Sequence, residues 1–275
     1  MTSDIRKLQL IDTDILKDVV EILDRHHLNY YMIGGTLLGA IRHKGFIPWD
    51  DDMDIAMPRH DYELFLSQFA RELPTNLIVD NFKTNKKYKY YITRIENTDY
   101  KVREIRNQNI EDSFAHVSID IFPIDGTPNN EFLRKFYYFQ VLSYRALISL
   151  VQKDNIDQAR KRGTLEKLTI SIGTHLPLQH LFSANKLQYK IDRLLKKQKQ
   201  NSQFAGTIMG AYRVKEIVPR KYFGEGRLYE FEGHKFKGPS DYDAYLKHMY
   251  GNYMKLPSKE QRESKKHFEI MDLTI

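Results

Sequence analysis

Asp52 and Asp54 stand two residues apart where an apolar run, Met53 to Met57, begins. On a strand that spacing sends both carboxylates to one face, while Met53 and Ile55 turn the other way into a core. Adjacent carboxylates repel, and burying them together is costly unless a cation compensates. A hard, oxygen-seeking ion answers that demand: Mg2+ first, with Mn2+ as the alternative, because such ions share their coordination with substrate phosphates. Upstream, Gly34-Gly35-Thr36 follows the apolar stretch Tyr30-Tyr31-Met32-Ile33. Glycines at a strand-to-helix turn let backbone N–H groups approach a phosphate, a helix N-terminus favours negative charge, and the Thr36 hydroxyl adds one donor. The two pieces make complementary demands of one ligand, an anion on the turn and a metal on the aspartates. Asp120, with apolar neighbours on both sides in Ile119-Asp120-Ile121-Phe122, is the expected third carboxylate, as metal ligand and as base toward an attacking hydroxyl. Asp125 is second choice, because the following Gly126 makes it read as a turn residue.

Arg42 and Lys44 lie between the glycine turn and the aspartates. They are expected either to neutralise donor phosphate charge or to form a solvated basic loop. Asp50 and Asp51 read as supporting or solvated carboxylates, and Trp49 as an anchor for the loop. Three other motifs are excluded. Asp50, Asp52 and Asp54 mimic the start of a calcium loop, but Ile55 and Asp61 replace its required Gly and Glu. An Asp-x-Asp pair also serves nucleotide-sugar glycosyltransferases, without the glycine turn upstream. Ile124-Asp125-Gly126-Thr127 resembles part of a phosphatase nucleophile loop, yet Pro123 stands where its nucleophile belongs.

The elements that must position these groups follow from periodicity. Ile5, Leu8, Ile11, Ile15, Val19 and Ile22 predict an amphipathic helix over 4–25. A strand at 30–33 leads into a helix from Thr36 to Ile41, and Met53 to Met57 reads as a second strand, closed by Pro58. Asp61 is placed to cap or charge a helix running to about Ala70. Further strands are expected at 76–79, 90–95 and 117–122, and helices at 130–152 and 185–200. The reading is an α+β fold: a catalytic core with a mixed β-sheet flanked by helices over 1–128, and a mainly helical and tail region over 129–275 packing on it.

The chain of 275 residues carries 43 Lys and Arg against 36 Asp and Glu, a net charge of +7. That excess suits an anionic partner, a phosphorylated substrate or an acidic membrane surface. With no cysteine, disulfides and thiolate metal sites are excluded. No apolar signal region opens the sequence and no uncharged apolar run reaches spanning length, so a cytoplasmic protein is expected. The basic residues are dispersed without a recognition motif, so nucleic acid is not an expected partner.

Read together, Ile33-Gly34-Gly35-Thr36 through Arg42-His43-Lys44-Gly45-Phe46-Ile47-Pro48-Trp49-Asp50-Asp51-Asp52-Met53-Asp54-Ile55 resembles the LicD family, as does Ile119-Asp120-Ile121-Phe122-Pro123-Ile124-Asp125-Gly126. Tyr245-Leu246, Tyr250-Gly251-Asn252-Tyr253-Met254 and Leu256-Pro257, followed by His267, form a weaker third match. Fifteen residues separate Thr36 from Asp52, long for the wider superfamily but usual in LicD-like sequences. The resemblance implies a nucleotidyltransferase-like fold and a cytoplasmic enzyme of cell-surface polysaccharide biosynthesis, decorating lipopolysaccharide or teichoic acid. Its metal carboxylates fall on Asp52, Asp54 and Asp120. The implied reaction moves phosphocholine from CDP-choline, or a polyol phosphate such as ribitol phosphate, to a hydroxyl of a glycan or lipid-linked acceptor. The enzyme could then sit at the inner membrane leaflet. A choline cargo needs an aromatic enclosure, for which Tyr242, Tyr245, Tyr250 and Tyr253 are candidates. Two alternatives remain open: a conventional nucleotidyltransferase acting on a sugar phosphate, protein or RNA, and a catalytically silent binding protein on the same scaffold.

Overall fold

The computed structural model describes residues 2–86, 88–104, 114–152, 178–258 and 268–270. Helix α1 (Thr2–Arg25) lays Leu8, Ile15, Val19 and Ile22 against the core as its periodicity requires. Strand β1 (Tyr31–Met32) enters α2 (Gly34–His43), and β2 (Asp54–Pro58) feeds directly into α3 (Arg59–Leu64). After α3 the chain tightens through a π-turn and a 3-10 turn to Glu72. Asp61 lies in the first turn of α3, but its carboxylate accepts from the backbone N–H of Asn29 at 2.9 Å.

Strands β3 (Leu77–Asp80), β4 (Thr93–Glu104) and β5 (Phe114–Gly126) complete the centre of a mixed sheet. Its main path runs β1-β2-β5-β4, then β10 (Phe268–Ile270), with β3 also pairing on β4. Only β2 and β5 run parallel in that path; the other pairs are antiparallel. The parallel register sets Asp54 beside Asp120 and Ile55 beside Ile121. The alternate residues Ile55, Met57, Ile119 and Ile121 are fully buried, as the core face of strands of period two.

Helices α4 (Glu131–Val151) and α5 (Ala184–Lys196) each begin on a side-chain cap, Asn130 and Ser183 accepting from the third helical N–H. They pack together over a second apolar cluster with Tyr137, Val141, Leu187 and Ile191. The chain from 204 onward departs from the expected mainly helical character. Strands β6 (Phe204–Gly206) and β7 (Ile217–Pro219) extend the main sheet through β5, and β8 (Arg227–Phe231) with β9 (His234–Gly238) forms a hairpin. Helix α6 (Tyr242–Tyr250) follows. These strands are three to five residues long, too short for alternation to register in the sequence; β6 and β7 form by pairing outward from β5, and β8 and β9 by pairing with each other.

Candidate functional site

Helix α2 begins at Gly34, whose φ of +56° lies in the left-handed region, and no side chain caps its first turn. A Cβ on Gly34 would stand 3.3 Å from Asp54 Oδ2, and one on Gly35 only 2.6 Å from Asp50 Oδ2. The glycine pair is therefore required twice, by backbone angle and by the carboxylates packed against it. The anions nearest the helix N-terminus are the chain's own Asp50 and Asp54, where the helix dipole favours them. Thr36, 4% exposed, accepts from the Asp54 backbone N–H at 2.8 Å. Its hydroxyl thus ties the turn to the aspartate strand.

Asp54 opens β2, Asp52 precedes it, and Asp120 sits alongside on β5 with its N–H donating to the Met53 carbonyl at 2.9 Å. Arg94, across the sheet on β4, donates through Nε to Asp120 Oδ1 at 3.1 Å. Burial first, then the charges of Asp52, Asp120, Asp50 and Glu216, push the Asp54 carboxyl well above the usual carboxylate range. A carboxylate that holds a proton against such surroundings will hold a cation for the same reason. The donor set is all oxygen, which fits a hard divalent ion. Among the described residues no three His, Asp or Glu side chains close on one point. Mg2+ does not need that, since it takes few protein carboxylates and completes its shell from water and phosphate.

Arg42 and Lys44 occupy the other end of α2, roughly 12 Å along the axis from the glycines. Arg42 donates to the Tyr253 carbonyl at 2.8 Å and still feels Asp50, while burial lowers its pKa. Lys44 is the left-handed C-cap of α2, with φ +61°, and its carbonyl accepts from Glu232 N–H. Asp50 and Asp51 are 6% and 2% exposed, so the solvated reading of them is corrected: the loop folds back under α1, where Gln9 Nε2 donates to the Asp50 carbonyl. Trp49 is partly buried against the core and meets the edge of His43. Asp125 is not a turn residue. It lies within β5, 4% exposed, and receives two hydrogen bonds from Arg59 at 2.7 and 2.6 Å.

The tail block packs on the first block. The Tyr245 hydroxyl, fully buried, takes a hydrogen bond from the Gly34 backbone, which leaves it no role as a cargo wall. Tyr253 gives its hydroxyl to Asp243, and Tyr242 stacks edge-on with Tyr229. Tyr250 remains beside the acids, and Tyr212, half-exposed, meets it edge-on at 6.0 Å. Sequence reasoning missed Tyr212 and Glu216. Glu216 is buried, binds the Thr207 hydroxyl and accepts from Tyr212 N–H at 2.6 Å, so it holds the loop that presents Tyr212. Neither carries a local signal, because both reach the site through a loop between short strands. His267 lies outside the described residues.

No helix among the described residues is long and apolar enough to cross a membrane. Residues 27–147 match the LicD/FKTN/FKRP nucleotidyltransferase domain. The chain is 29% identical over 273 residues to the lipopolysaccharide cholinephosphotransferase LicD of Haemophilus influenzae, covering 94% of each chain. It is 31% identical over 135 residues to an uncharacterized protein of Rickettsia typhi, 47% of this chain and 40% of that one. A shorter segment of 43 residues is 44% identical to human ribitol 5-phosphate transferase FKRP, 16% of this chain and 9% of that one.

Proposed function

We propose that this chain, which carries a LicD-family domain over residues 27–147, transfers phosphocholine or a related polyol phosphate from a CDP-activated donor to a hydroxyl of a cell-surface glycan precursor. The observation that carries this reading is the parallel register of Asp54 with Asp120 against the glycine turn of α2. It occurs in a chain similar along 94% of its length to a cholinephosphotransferase. Asp52, Asp54 and Asp120 are the groups that would hold Mg2+ or Mn2+, and such an ion supplies charge stabilisation to a pyrophosphate under attack. The acceptor oxygen forms a bond to the phosphorus bearing the cargo, the phosphoanhydride bond to CMP breaks, and the hydroxyl proton passes to a carboxylate of the cluster. Asp120, oriented by Arg94, is assigned that proton or a place on the ion.

The Gly35 N–H and the Thr36 hydroxyl orient donor phosphate on the turn that the left-handed backbone of Gly34 makes, and Arg42 and Lys44 add positive charge from the far end of α2. Tyr212 and Tyr250 offer the aromatic faces that a quaternary ammonium needs, beside carboxylates that favour its charge. The enzyme works in the cytoplasm, where its basic surface can meet an acceptor at the inner membrane leaflet. The test is calorimetric titration with CDP-choline, CDP-ribitol and CDP-glycerol in Mg2+, followed by assay of CMP release with a glycan acceptor. Binding of at least one donor with CMP release is expected. Binding of none, or release of pyrophosphate from a nucleoside triphosphate instead, would return the chain to the conventional nucleotidyltransferases.

A further inference from the structure

Helix α4 carries apolar side chains on two opposite faces. Tyr137, Val141 and Ile148, at steps of four and seven, are buried in the apolar cluster shared with α5. Phe132, Phe136 and Phe139, at steps of four and three, line the other side of the helix and are 78%, 54% and 68% exposed. A helix that is apolar on both sides is either buried all round or has a second surface to meet. Single exposed apolar residues are ordinary, but three phenylalanines on one face form a patch. Among the described residues the first face is covered and the second is not.

The neighbouring helix supplies charge. Lys186, Lys190, Arg193 and Lys197 recur at steps of four, three and four, so they line one face of α5 through its C-cap, and all are exposed. The only acid in α5, Asp192, is buried against Arg59. Lys190 reaches over the Tyr144 ring of α4, 5.8 Å from its centroid, so the basic face adjoins that helix. The chain after α5 returns to the start of α4: the Lys199 carbonyl packs on Gly126, and Gln203 N–H donates to the Asn129 side chain at 2.8 Å. We propose that the outward faces of α4 and α5 together form a docking surface for an anionic lipid bilayer. The three phenylalanines enter the headgroup region and the cations rest on lipid phosphate. Such a bilayer answers both the aromatic and the basic half of the surface. The purpose of this docking rests on the transfer reaction proposed above, with its acceptor at the inner leaflet. Arg145, also on α4, donates to the Ile208 and Gly210 carbonyls at 3.1 and 2.8 Å, so the docked helix holds one end of the loop that presents Tyr212.

The test needs neither donor nor acceptor. The full chain is sedimented with vesicles rich in phosphatidylglycerol and, separately, with vesicles of phosphatidylcholine alone. Wild type should bind the first and bind the second about tenfold more weakly or worse. Phe132→Ser combined with Phe136→Ser and Phe139→Ser should weaken binding to the anionic vesicles by about tenfold or more. Donor titration of that triple variant should be unchanged, because none of the three side chains lies in the transfer site. No binding by wild type, equal binding to both vesicles, or equal binding by the triple variant overturns the proposal. So does a wild-type dimer in light scattering that the triple variant breaks, with no vesicle binding by either, since the face would then belong to a second copy of this chain. If the triple variant does not fold, Lys186→Gln combined with Lys190→Gln and Arg193→Gln decides: a loss of about tenfold in binding to the anionic vesicles supports the docking surface, and unchanged affinity refutes it. A chain that binds these vesicles but no CDP-linked donor would sink the transfer reaction and leave the docking surface standing.

Discussion

Strands β2 and β5 carry two charge clusters, one at each end, and the clusters are built on opposite principles. At the C-terminal ends, roughly 16 Å from Asp54 by strand rise, Arg59 binds Asp125, Asp192 and Glu63. Lys83 and Lys196 reach the same Glu63 and Asp192. Three cations therefore face three carboxylates, and the Tyr91 hydroxyl adds a hydrogen bond to Asp192 at 2.7 Å. At the N-terminal ends Asp52, Asp120, Asp50 and Glu216 all push the Asp54 carboxyl upward, with Arg94 pairing to Asp120 beside them. The first cluster clamps α3, β5 and α5 together. The second gathers negative charge where a ligand's cation would relieve it, and that contrast separates structure from chemistry more clearly than burial does.

The comparison is tested hardest by removing one acid from the second cluster. Asp54→Asn should lower transfer by on the order of a hundred- to a thousandfold, as loss of a charge-organising group in a reacting site does, while thermal stability holds or rises because repulsion is relieved. A variant that loses stability in step with activity would place Asp54 among the structural acids instead. In the first cluster the order reverses. Arg59→Met should cost about 3–5 kcal/mol of unfolding free energy in urea titrations, because it strips Asp125 of its guanidinium partner and takes one of three cations from Asp192. The turnover of whatever folded protein remains should change little.

Smaller effects sharpen the contrast. Tyr212→Ala should raise KM for a choline-bearing donor by roughly tenfold, within the range of a desolvated cation–π contact, and leave CDP-glycerol unaffected. Equal losses on both donors would mean that Tyr212 positions the loop rather than the cargo. The two clusters also predict a pH response. Lys83, Lys196 and Arg59 hold the carboxyls of Glu63 and Asp192 below their ordinary values against the opposing effect of burial. Their stabilisation is present above the unfolded carboxylate range, about 4, and is lost as pH falls through the depressed folded values. The unfolding midpoint of wild type should thus decline below about pH 4, and the decline should be shallower in Arg59→Met.

Much of this was legible in the chain. The glycine turn, the Asp52/Asp54 pair and Asp120 announced themselves because each is a short polar interruption of an apolar run. The helices α1, α2, α4 and α5 followed from the pattern of their apolar residues, while the Asn130 and Ser183 caps came to light in the fold. Asp125 misled because an Asp-Gly pair has the chemistry of a turn, and only Arg59, 66 residues away, explains why it stays in a strand.

The sequence by itself determined which residues could repel one another, which backbone could turn at Gly34, and which faces had to be buried, because these are properties of residue type and local period. The tertiary structure alone decided which acids would share a neighbourhood and which would receive cations. That choice depends on strand register, on the loop over residues 207–216 and on helix α6 arriving from the far end of the chain, and register is a long-range property. Asp54 and Asp125 are both aspartates in apolar strands; parallel pairing of β2 with β5 set one against acids and the other against Arg59.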